Sequence, residues 1–598
     1  MSQATLFSTS PHGAAAPPWP AMSLAQAHAL LTAPGATFEM ETLEIDGLTV
    51  RAWKNGPKSL VEVFYAAHAF GERIFIVHED ERISFDAFAR AAMAFANDLI
   101  ARGVQPGDRV ALAMRNLPEW PVAFYGAALA GAIATPLNAW WSESELIYGL
   151  KDSGATAAVF DAQRYVRVRD RLSECADLRQ VYLCRQTPET VIGQGVVELE
   201  RLIGRPQDWA ALPAVGEPPR TVQPEDAATL FYTSGTTAEP KGALASHRAA
   251  TTAILATLLS QARSFLRRGE TPPEPDPDAH RCYLVGIPLF HVTGCFSLLN
   301  LAMAMGVRLV LMRKFEPEAA MALIEREKAT SIGGVPAIPW QLLEHPARAK
   351  YDLSSVETVS YGGAPAAPEL VRRMTDAWPQ SQSGTGWGMT ETCATFTHHM
   401  GEDYVHRPDS CGPATPVGEM KVVDAEGRTL PPGGIGELWV FGPHVVRGYW
   451  NKPAANAKSF QDGWLKTGDL ARLDEEGFCY IVDRIKDVII RGGENIYSVE
   501  VEDVLYTHPA VMDAALVPIP HHILGEEPGA VVTLKPGAEA DEACLRDHVR
   551  AQLASFKVPV RVVIRREPLP RNANGKIMKS ELKRLFTAPT STSDERPR

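Results

Sequence analysis

Short apolar runs alternate with amphipathic stretches along most of the chain. Residues 109–114 are predicted to form a buried strand, 119–130 an apolar helix, and 132–137 the next strand. Similar short runs recur, with helical patterns between several of them, at residues 157–160, 229–233, 283–287, 308–312 and 356–360. This alternation of strands and helices predicts a layered α/β body.

Two changes of pattern divide the chain further. From about Gly412 short strands and glycine turns follow one another, as in GGIGELWVFG, which predicts a small β-rich lobe on the large domain. After Arg484 the pattern restarts, with a helix capped by Ser498, a strand at 512–517 and a second helix around 545–553. These elements predict a separate α+β domain of roughly 110 residues.

We therefore expect four segments. Residues 1–58 form an N-terminal extension that is partly loose, because the stretch up to about Pro20 is rich in Ala, Pro and Ser. Residues 59–483 form the large domain and 484–586 the small one. Residues 587–598 are a disordered tail, because they contain almost nothing apolar to bury.

Length and composition restrict the function classes. The 598 residues are 45% hydrophobic and 22% charged, so the chain is long enough to bury a large core. A formal net charge of -12 does not indicate the basic surface that nucleic-acid binding requires. Eight cysteines without a Cys-x-x-Cys pair favour a reducing compartment. Since no apolar run reaches roughly 18 residues, we expect a cytoplasmic protein without a transmembrane segment; peripheral membrane contact and a homodimer stay open.

The segment FYTSGTTAEPKGA, residues 231–243, has the composition of a phosphate-binding loop. Small residues let backbone N–H groups approach an anion, hydroxyls add donors, and a lysine adds positive charge. A Walker loop is excluded, because Pro240 precedes the lysine and Gly242 follows it. The predicted phosphate ligands are Thr233, Ser234, Gly235, Thr236, Thr237 and Lys241.

This loop resembles the signature loop of the adenylate-forming superfamily, which includes acyl-CoA synthetases, peptide-synthetase adenylation domains and luciferases. Other motifs of the superfamily occur in the expected order between about Ser59 and Leu585. The resemblance implies a large N-terminal domain of two sheets and a β-rich lobe, with a small mobile C-terminal domain above the active site. In the acyl-CoA synthetase branch it also implies ATP, Mg²⁺ and coenzyme A.

Two further motifs are expected to hold the nucleotide and the metal. YGGAP, residues 361–365, resembles the segment that lines adenine, and its glycines let a flat ring approach the backbone. In GTGWGMTET, residues 384–392, the resemblance implies that Thr390 contacts the α-phosphate and that Glu391 is the Mg²⁺ ligand. Trp387 replaces the family's usual tyrosine and lacks its hydroxyl. The nucleotide-binding set here is Gly362, Gly363, Ala364, Pro365, Gly386, Trp387 and Gly388.

The resemblance also assigns the ribose site and the catalytic set. Asp469 in WLKTGDL would accept hydrogen bonds from both ribose hydroxyls with Arg484 in support, and an ordinary interdomain salt bridge is the alternative. Lys576 in LPRNANGKIMK would bridge the acid and the phosphate as charge develops during adenylation. Lys576, Glu391 and Thr390 form the predicted catalytic set.

The resemblance places Lys486 at the family's hinge position, about which the small domain would turn after pyrophosphate leaves. The turn would present a second face for the thiol reaction, and on that face RGGENIYSVEVE, residues 491–502, resembles the segment beside the pantetheine tunnel. Gly492 and Gly493 would allow a thin channel wall for coenzyme A, although as bare sequence they form a turn.

The acyl pocket is expected at IPLFHVTGC, residues 287–295, and GVPAIPW, residues 334–340. Amino-acid-activating relatives often hold the substrate ammonium with an aspartate where this chain has His291. An α-amino acid is therefore disfavoured, because a buried ammonium without a partner is costly. We expect His291 to help gate the acid without acting as a general base, since a carboxylate is already ionised near neutral pH. The predicted pocket residues are His291, Gly334 and Val335.

These motifs predict an acyl-CoA ligase, first for a medium- or long-chain fatty acid and second for an aryl or polycyclic acid. An adenylating enzyme that loads a carrier protein is a further alternative. A non-catalytic nucleotide-binding relative would have lost Glu391 or Lys576, and both are present. Ala238 stands where the phosphate loop usually has glycine, so we expect reduced loop mobility and weaker ATP binding.

Overall fold

The computed structural model describes residues 19–233, 239–274, 276, 279–364, 366, 368–572 and 575–587. These residues form a large α/β body with two sheets, a β-rich lobe on that body, and a smaller C-terminal α+β unit. The architecture that was expected from the sequence is confirmed.

One sheet of the large body has seven strands, parallel except for an antiparallel edge strand. In spatial order the strands are Gly242–Ser246, Ala227–Tyr232, Ile133–Pro136, Arg109–Ala113, Ala157–Asp161, Gln180–Cys184 and Val196–Glu198. The central strands read as near-continuous apolar runs because both of their faces are buried. The predicted unit at 109–137 is present, and its helix Glu119–Leu129 is buried on every side.

The other sheet has eight strands, with antiparallel strands at both edges. In spatial order they are His399–Met400, Gln382–Gly386, Thr358–Gly362, Ser331–Gly334, Cys282–Val285, Arg308–Leu311, Ile74–His78 and Glu81–Ser84. One face packs on a cluster that includes the helices Pro317–Glu327, Ala337–Glu344 and Pro368–Ala377. The opposite face looks toward the helix His247–Arg267 and the π-helical turn Thr293–Asn300.

Helix boundaries in the large body follow capping signals. Ser84, Ser142 and Ser246 each accept a backbone N–H at the start of a helix. The last two of these helices, Glu143–Ser153 and His247–Arg267, flank the seven-stranded sheet and the cleft between the sheets. The remaining described helices of at least seven residues in this body are Leu60–Ala66, Phe85–Ala101, Ala162–Val168 and Pro453–Ser459.

The β-rich lobe is an antiparallel sheet, as the glycine-punctuated pattern after residue 412 predicts. Its strands are Gly412–Pro413, Phe478–Arg484, Trp464–Leu473, Gly436–Phe441 and Glu419–Val423, and Phe460–Gln461 pairs with Trp464–Leu473. Its last strand ends at Arg484, immediately before the C-terminal unit begins.

The C-terminal unit carries its own sheet and core. Its strands are Glu494–Ile496, Ile489–Arg491, Gly525–Leu534, Val511–His521 and Arg561–Arg565. The helices Ser498–Tyr506 and Glu542–Arg550 pack on this sheet. The prediction that Ser498 caps its helix is wrong: Tyr497 holds the cap position without a side-chain bond. Ser498 is the first helical residue, and its N–H and hydroxyl donate to Asp483 of the lobe.

Part of the N-terminal extension is folded against the large body. The helix Leu24–Leu31 and the hairpin of Met40–Ile45 with Leu48–Trp53 lie within it. The Ala21 N–H donates to the Arg267 carbonyl at 2.8 Å, and the Leu24 N–H to the Glu476 carboxylate at 2.9 Å. The tail from residue 588 lies outside the described residues.

No helix in the described part of the chain has the length and apolarity needed to cross a bilayer. A cytoplasmic location and a homodimer stay predictions.

Candidate active site

A cavity of about 2020 Å³ opens at the carboxyl edge of the eight-stranded sheet and extends to the lobe and the C-terminal unit. Three parallel strands end at it in Gly334, Gly362 and Gly386, which is where open α/β sheets bind ligands. The predicted site residues that line it are Thr233, Lys241, His291, Gly334, Val335, Gly362, Gly363, Ala364, Gly386, Trp387, Gly388, Thr390, Glu391, Asp469, Arg484, Lys486 and Lys576.

Some predicted residues do not line this cavity. Gly492 and Gly493 form the turn between the strands Ile489–Arg491 and Glu494–Ile496, with φ of 58° and 93°. Both values require the left-handed region, which explains the glycines by turn geometry alone. The residues Ser234, Gly235, Thr236, Thr237, Ala238 and Pro365 lie outside the described residues.

The two ends of the phosphate loop are held together at its neck. The Thr233 N–H donates to the Lys241 carbonyl at 2.9 Å, and the Lys241 N–H to the Thr233 hydroxyl at 3.3 Å. Both bonds involve the backbone of Lys241. Its side-chain Nζ lies 4.1 Å from the ring centroid of Tyr449. The lysine is therefore positioned by a backbone clamp and by a cation–π contact.

Glu391 is 6% exposed and has a hydrogen-bond partner that the sequence did not reveal. The Tyr449 hydroxyl donates to its Oε1 at 2.6 Å. Burial, followed by the Glu391 charge, raises the pKa of Tyr449, so the hydroxyl stays protonated as a donor. Tyr449 thus contacts two predicted phosphate-site residues, Lys241 and Glu391.

Glu391 fits a magnesium ligand by its chemistry. In the described part of the chain, no group of three or more His, Cys, Asp or Glu side chains is arranged to hold a metal ion. Mg²⁺ is usually bound through one or two carboxylates together with substrate phosphates, so a single buried carboxylate beside a phosphate loop suits it.

Two glycines of the nucleotide segments are required by neighbouring backbone, and not only to leave room for a flat base. A Cβ on Gly388 would lie 1.4 Å from the Ala394 carbonyl oxygen, and one on Gly386 would lie 2.5 Å from that of Thr397. Neighbouring backbone therefore excludes any side chain at these two positions. Gly363 has a φ of 78° and an open side, which is the arrangement that the adenine interpretation requires.

The predicted ribose pair is formed by neighbouring strands of the lobe. Asp469 and Arg484 are register partners, and the Arg484 Nε donates to Asp469 Oδ1 at 2.8 Å. The Trp387 indole N–H donates to the other oxygen, Oδ2, at 2.9 Å. Trp387 lacks the tyrosine hydroxyl, but its indole N–H provides a donor in the same site. A carboxylate has roughly four acceptor positions, so Asp469 retains capacity for ribose hydroxyls.

Lys576 reaches the cavity from the C-terminal unit. Its loop is closed by the Lys576 N–H, which donates to the Asn572 side chain at 3.1 Å, and it packs so tightly that a Cβ on Gly575 would lie 2.7 Å from Val335. Burial, followed by the charge of Arg484, lowers the pKa of Lys576, while Asp469 and Glu391 oppose the shift. The lysine is thus electrostatically coupled to both predicted carboxylates.

His291 lies beside the same lysine. Its Nε2 is shielded and makes no hydrogen bond to any residue that the structure describes. Burial, followed by the positive charge of Lys576, lowers the pKa of His291 to about 3. The imidazole is therefore neutral across the physiological range, which agrees with a packing role at the acyl pocket.

Comparison with known proteins identifies the family. The AMP-binding enzyme family matches residues 63–450, and the AMP-binding enzyme C-terminal domain matches residues 500–576. The chain belongs to the AMP-binding enzyme family. It is 32% identical over 512 residues to a feruloyl-CoA synthase of Amycolatopsis sp, covering 85% of this chain and 95% of that protein. It is 31% identical over 538 residues to a long-chain-fatty-acid–CoA ligase of Bacillus subtilis, covering 86% and 92%.

A solved structure gives the same result. The o-succinylbenzoate CoA synthetase from Bacillus subtilis, in complex with an acyl-adenylate intermediate, is 30% identical with a TM-score of 0.70. The match covers 87% of this chain and 97% of that chain. The adenylate-forming resemblance, the fold, the AMP-forming acid–CoA ligase class, and its use of ATP, Mg²⁺ and coenzyme A are thereby confirmed.

Proposed function

We propose that this acyl-CoA ligase performs both half-reactions in the cavity described above. In the first, a carboxylate oxygen attacks the α-phosphorus of ATP and pyrophosphate leaves. In the second, the thiol of coenzyme A attacks the acyl carbon of the acyl-adenylate, and AMP leaves. The supporting observation is that Glu391, Asp469 and Lys576, from three elements far apart in the sequence, line one cavity.

The nucleotide is bound by residues of the large body and the lobe. The Asp469 carboxylate accepts hydrogen bonds from the ribose hydroxyls, and Arg484 and Trp387 hold that carboxylate in place. Glu391 would hold Mg²⁺ through a carboxylate oxygen, and Tyr449 fixes that carboxylate by donating to Oε1. Mg²⁺ bound there would neutralise phosphate charge that otherwise repels the incoming carboxylate.

Lys576 stabilises the transition state of adenylation. Its ammonium lies in a partly desolvated site, where a positioned cation acts more strongly on developing negative charge than it would in water. Thr390, which lines the same cavity, contacts the α-phosphate. No general base is needed, because the acid is already ionised, and neutral His291 serves as a wall beside it.

The second half-reaction uses a rotation of the C-terminal unit about Lys486. The hairpin turn at Gly492 and Gly493 lies outside the cavity when Lys576 lines it. One orientation thus serves adenylation, and a rotated orientation exchanges the lysine loop for the hairpin at the coenzyme A channel. The predicted domain boundary at residues 483–484 is close to this hinge, at the end of the lobe's last strand.

A medium- or long-chain fatty acid is the first candidate substrate, which would make the enzyme part of fatty acid metabolism. An aryl or polycyclic acid is the second candidate. Similarity to both a feruloyl-CoA synthase and a long-chain-fatty-acid–CoA ligase is consistent with either. A carrier protein is the alternative acceptor to coenzyme A.

The test is acid-dependent ATP–pyrophosphate exchange, measured without coenzyme A on a panel of fatty, aromatic and polycyclic acids. Addition of coenzyme A should convert the exchanging acid into a thioester, identified by mass. Exchange without thioester formation, but with transfer to carrier phosphopantetheine, would favour the carrier-protein alternative. Absence of exchange with every acid would contradict adenylation of the panel's acid classes.

A further inference from the structure

From the predicted nucleotide site the cavity extends toward the amino-terminal ends of the strands, between the eight-stranded sheet and the helix His247–Arg267. We name this part the lower chamber and define it by Tyr283, Ser331 and Thr358 on the sheet, Thr257 and Gln261 on the helix, and Leu298 on the π-helical turn. A Cβ on Gly333, on the same strand as Ser331, would lie 3.8 Å from Leu298 Cδ2. The sheet and the π-helical turn therefore face each other across a narrow space.

The sheet wall of the lower chamber is a row of hydroxyl groups. Tyr283 pairs with Ser331, and Ser331 with Thr358, in adjacent parallel strands. Side chains at paired positions share one face, and neighbouring strands are about 4.8 Å apart, so the row spans about 10 Å. An acyl chain that lies along the strands must pass this row.

The row lies at a defined depth. Thr358 precedes Gly362 by four positions on its strand, and Gly362 is at the edge where the nucleotide segments lie. At about 3.3 Å per residue, the row is about 13 Å from that edge. An acid whose carboxylate is near Lys576 reaches the row only with the far end of its skeleton.

Most polar side chains of the lower chamber, on the sheet and on the helix, have no hydrogen-bond partner in the described part of the chain. The side chains of Tyr283, Ser331, Thr358 and Gln261 make no hydrogen bond to any other residue in the described part of the chain. The Thr257 hydroxyl donates to the Ala253 carbonyl at 3.0 Å, which leaves its oxygen as an acceptor. A saturated hydrocarbon tail would desolvate these donors and acceptors without replacing their hydrogen bonds, which is unfavourable.

We propose that the acid activated by this enzyme carries a hydroxyl or oxo oxygen at the end of its skeleton far from the carboxylate. Ser331, Thr358 and Gln261 bind that oxygen, while Leu298 packs on the apolar part of the skeleton. The inference rests on the proposed ligase function and narrows its substrate class. A site built to hydrogen-bond a substrate oxygen discriminates strongly against the analogue that lacks it.

The test compares acids in matched pairs that differ by one oxygen. The pairs are dodecanoate with 12-hydroxydodecanoate, cinnamate with 4-hydroxycinnamate, and cholanate with hydroxycholanate. Acid-dependent pyrophosphate exchange gives kcat/KM for each member. In at least one pair we expect the oxygenated acid to be favoured at least tenfold. Equal or better use of the oxygen-free acid in every pair would overturn the inference and leave the ligase function intact.

Two variants test the residues assigned to the substrate oxygen, with the pair of acids that shows the preference. Thr358→Val keeps the side-chain shape, Gln261→Leu removes the amide, and each should lower the preference for the oxygenated acid below threefold. Thr375→Val is the matched control, because its hydroxyl donates to the Val371 carbonyl at 3.0 Å away from the cavity. Retention of the full preference in both wall variants, with unchanged thermal midpoints, would overturn the assignment. No exchange with any acid would overturn the proposed function, and the inference with it.

Discussion

At the scale of single residues, the hydrogen bond between Tyr449 and Glu391 is the most informative contact that the structure adds to the sequence. Tyr449→Phe removes the 2.6 Å hydrogen bond and keeps the ring that Lys241 contacts. Loss of a hydrogen bond worth about 0.5–1.5 kcal/mol should raise the Mg²⁺ concentration for half-maximal activity by about 2- to 12-fold. A magnesium titration of AMP formation measures this.

Tyr182→Phe is the matched control for Tyr449→Phe. Its hydroxyl also donates to a carboxylate, Asp98 at 2.8 Å, and it does not line the cavity. A Tyr449→Phe enzyme whose magnesium dependence equals that of the control would show that Tyr449 does not position the metal ligand.

Lys576 supports a second prediction at this scale. Lys576→Ala should slow adenylation about 100- to 1000-fold, the usual cost of one transition-state donor at about 2.7–4 kcal/mol. Pyrophosphate exchange measures that step, and thioester formation from synthetic acyl-adenylate should fall less than tenfold. Lys583→Ala removes a lysine that lines the same cavity and serves as the control. Equal losses in both half-reactions would argue against a role specific to adenylation.

Motif residues could be predicted because each lies in a short string with its own chemistry. Tyr449 could not, since it is 58 residues from Glu391 and only the packing of the lobe brings the two together. The donor role of Trp387 toward Asp469, 82 residues away, was hidden for the same reason. Gly386 and Gly388 were predicted to bind the nucleotide, but the backbone that requires glycine there belongs to a later segment.

At the scale of elements, the β-rich lobe contains a buried histidine that should make its stability depend on pH. His444 stacks on Phe396 with ring centroids 4.2 Å apart, and burial lowers its pKa to about 3. The unfolded chain binds a proton below about pH 6.5, whereas the folded lobe does not. The stability that neutral His444 contributes is therefore complete above pH 6.5 and is lost as the pH falls toward 3.

His444→Phe should remove this penalty while keeping an aromatic ring in the stack. Relative to wild type, the variant should gain about 2 kcal/mol in unfolding free energy between pH 8 and pH 5, whatever its packing cost. Denaturant unfolding at the two pH values measures the gain. His522→Phe, at an exposed position, is the control. A difference between His444→Phe and wild type that is the same at both pH values would contradict the argument.

The hinge supports another prediction at this scale. Lys486→Pro fixes φ at the proposed pivot and should slow thioester formation at least tenfold, while pyrophosphate exchange stays within about threefold. Lys486→Ala removes the side chain without restricting the backbone and should retain both activities. If the proline variant forms thioester at the wild-type rate, the rotation does not occur about Lys486.

Elements with strong periodicity were predictable, and elements defined by tertiary contacts were not. The two strands and the helix of the unit at 109–137 are almost entirely buried, so its apolar runs mark it clearly. The helix Leu24–Leu31 was missed because it is stabilised by contacts with distant residues, including Glu476. Ser498 resembled a helix cap because serine is a common capping residue. In the structure its hydroxyl donates to Asp483 of the lobe and does not cap the helix.

At the scale of the whole molecule, the proposed active site belongs to no single part of the chain. The large body contributes Glu391, the lobe contributes Asp469, and the C-terminal unit contributes Lys576. The buried contact between Asp483 and Ser498 ties the lobe to the C-terminal unit beside the hinge. The depth of the lower chamber depends on the distance between a sheet and a helix, which spacing along the sequence does not contain. For this reason the reaction class was predictable and the acyl substrate was not.

The central claim is that one acid, one ATP and one coenzyme A yield one acyl-CoA, one AMP and one pyrophosphate. The most direct measurement is AMP release, with the thioester quantified in the same reaction, for the acid that supports pyrophosphate exchange. The account predicts sustained turnover only when acid and coenzyme A are both present, with AMP and thioester formed in equal amounts. Sustained AMP release that is independent of coenzyme A, without thioester, would contradict it.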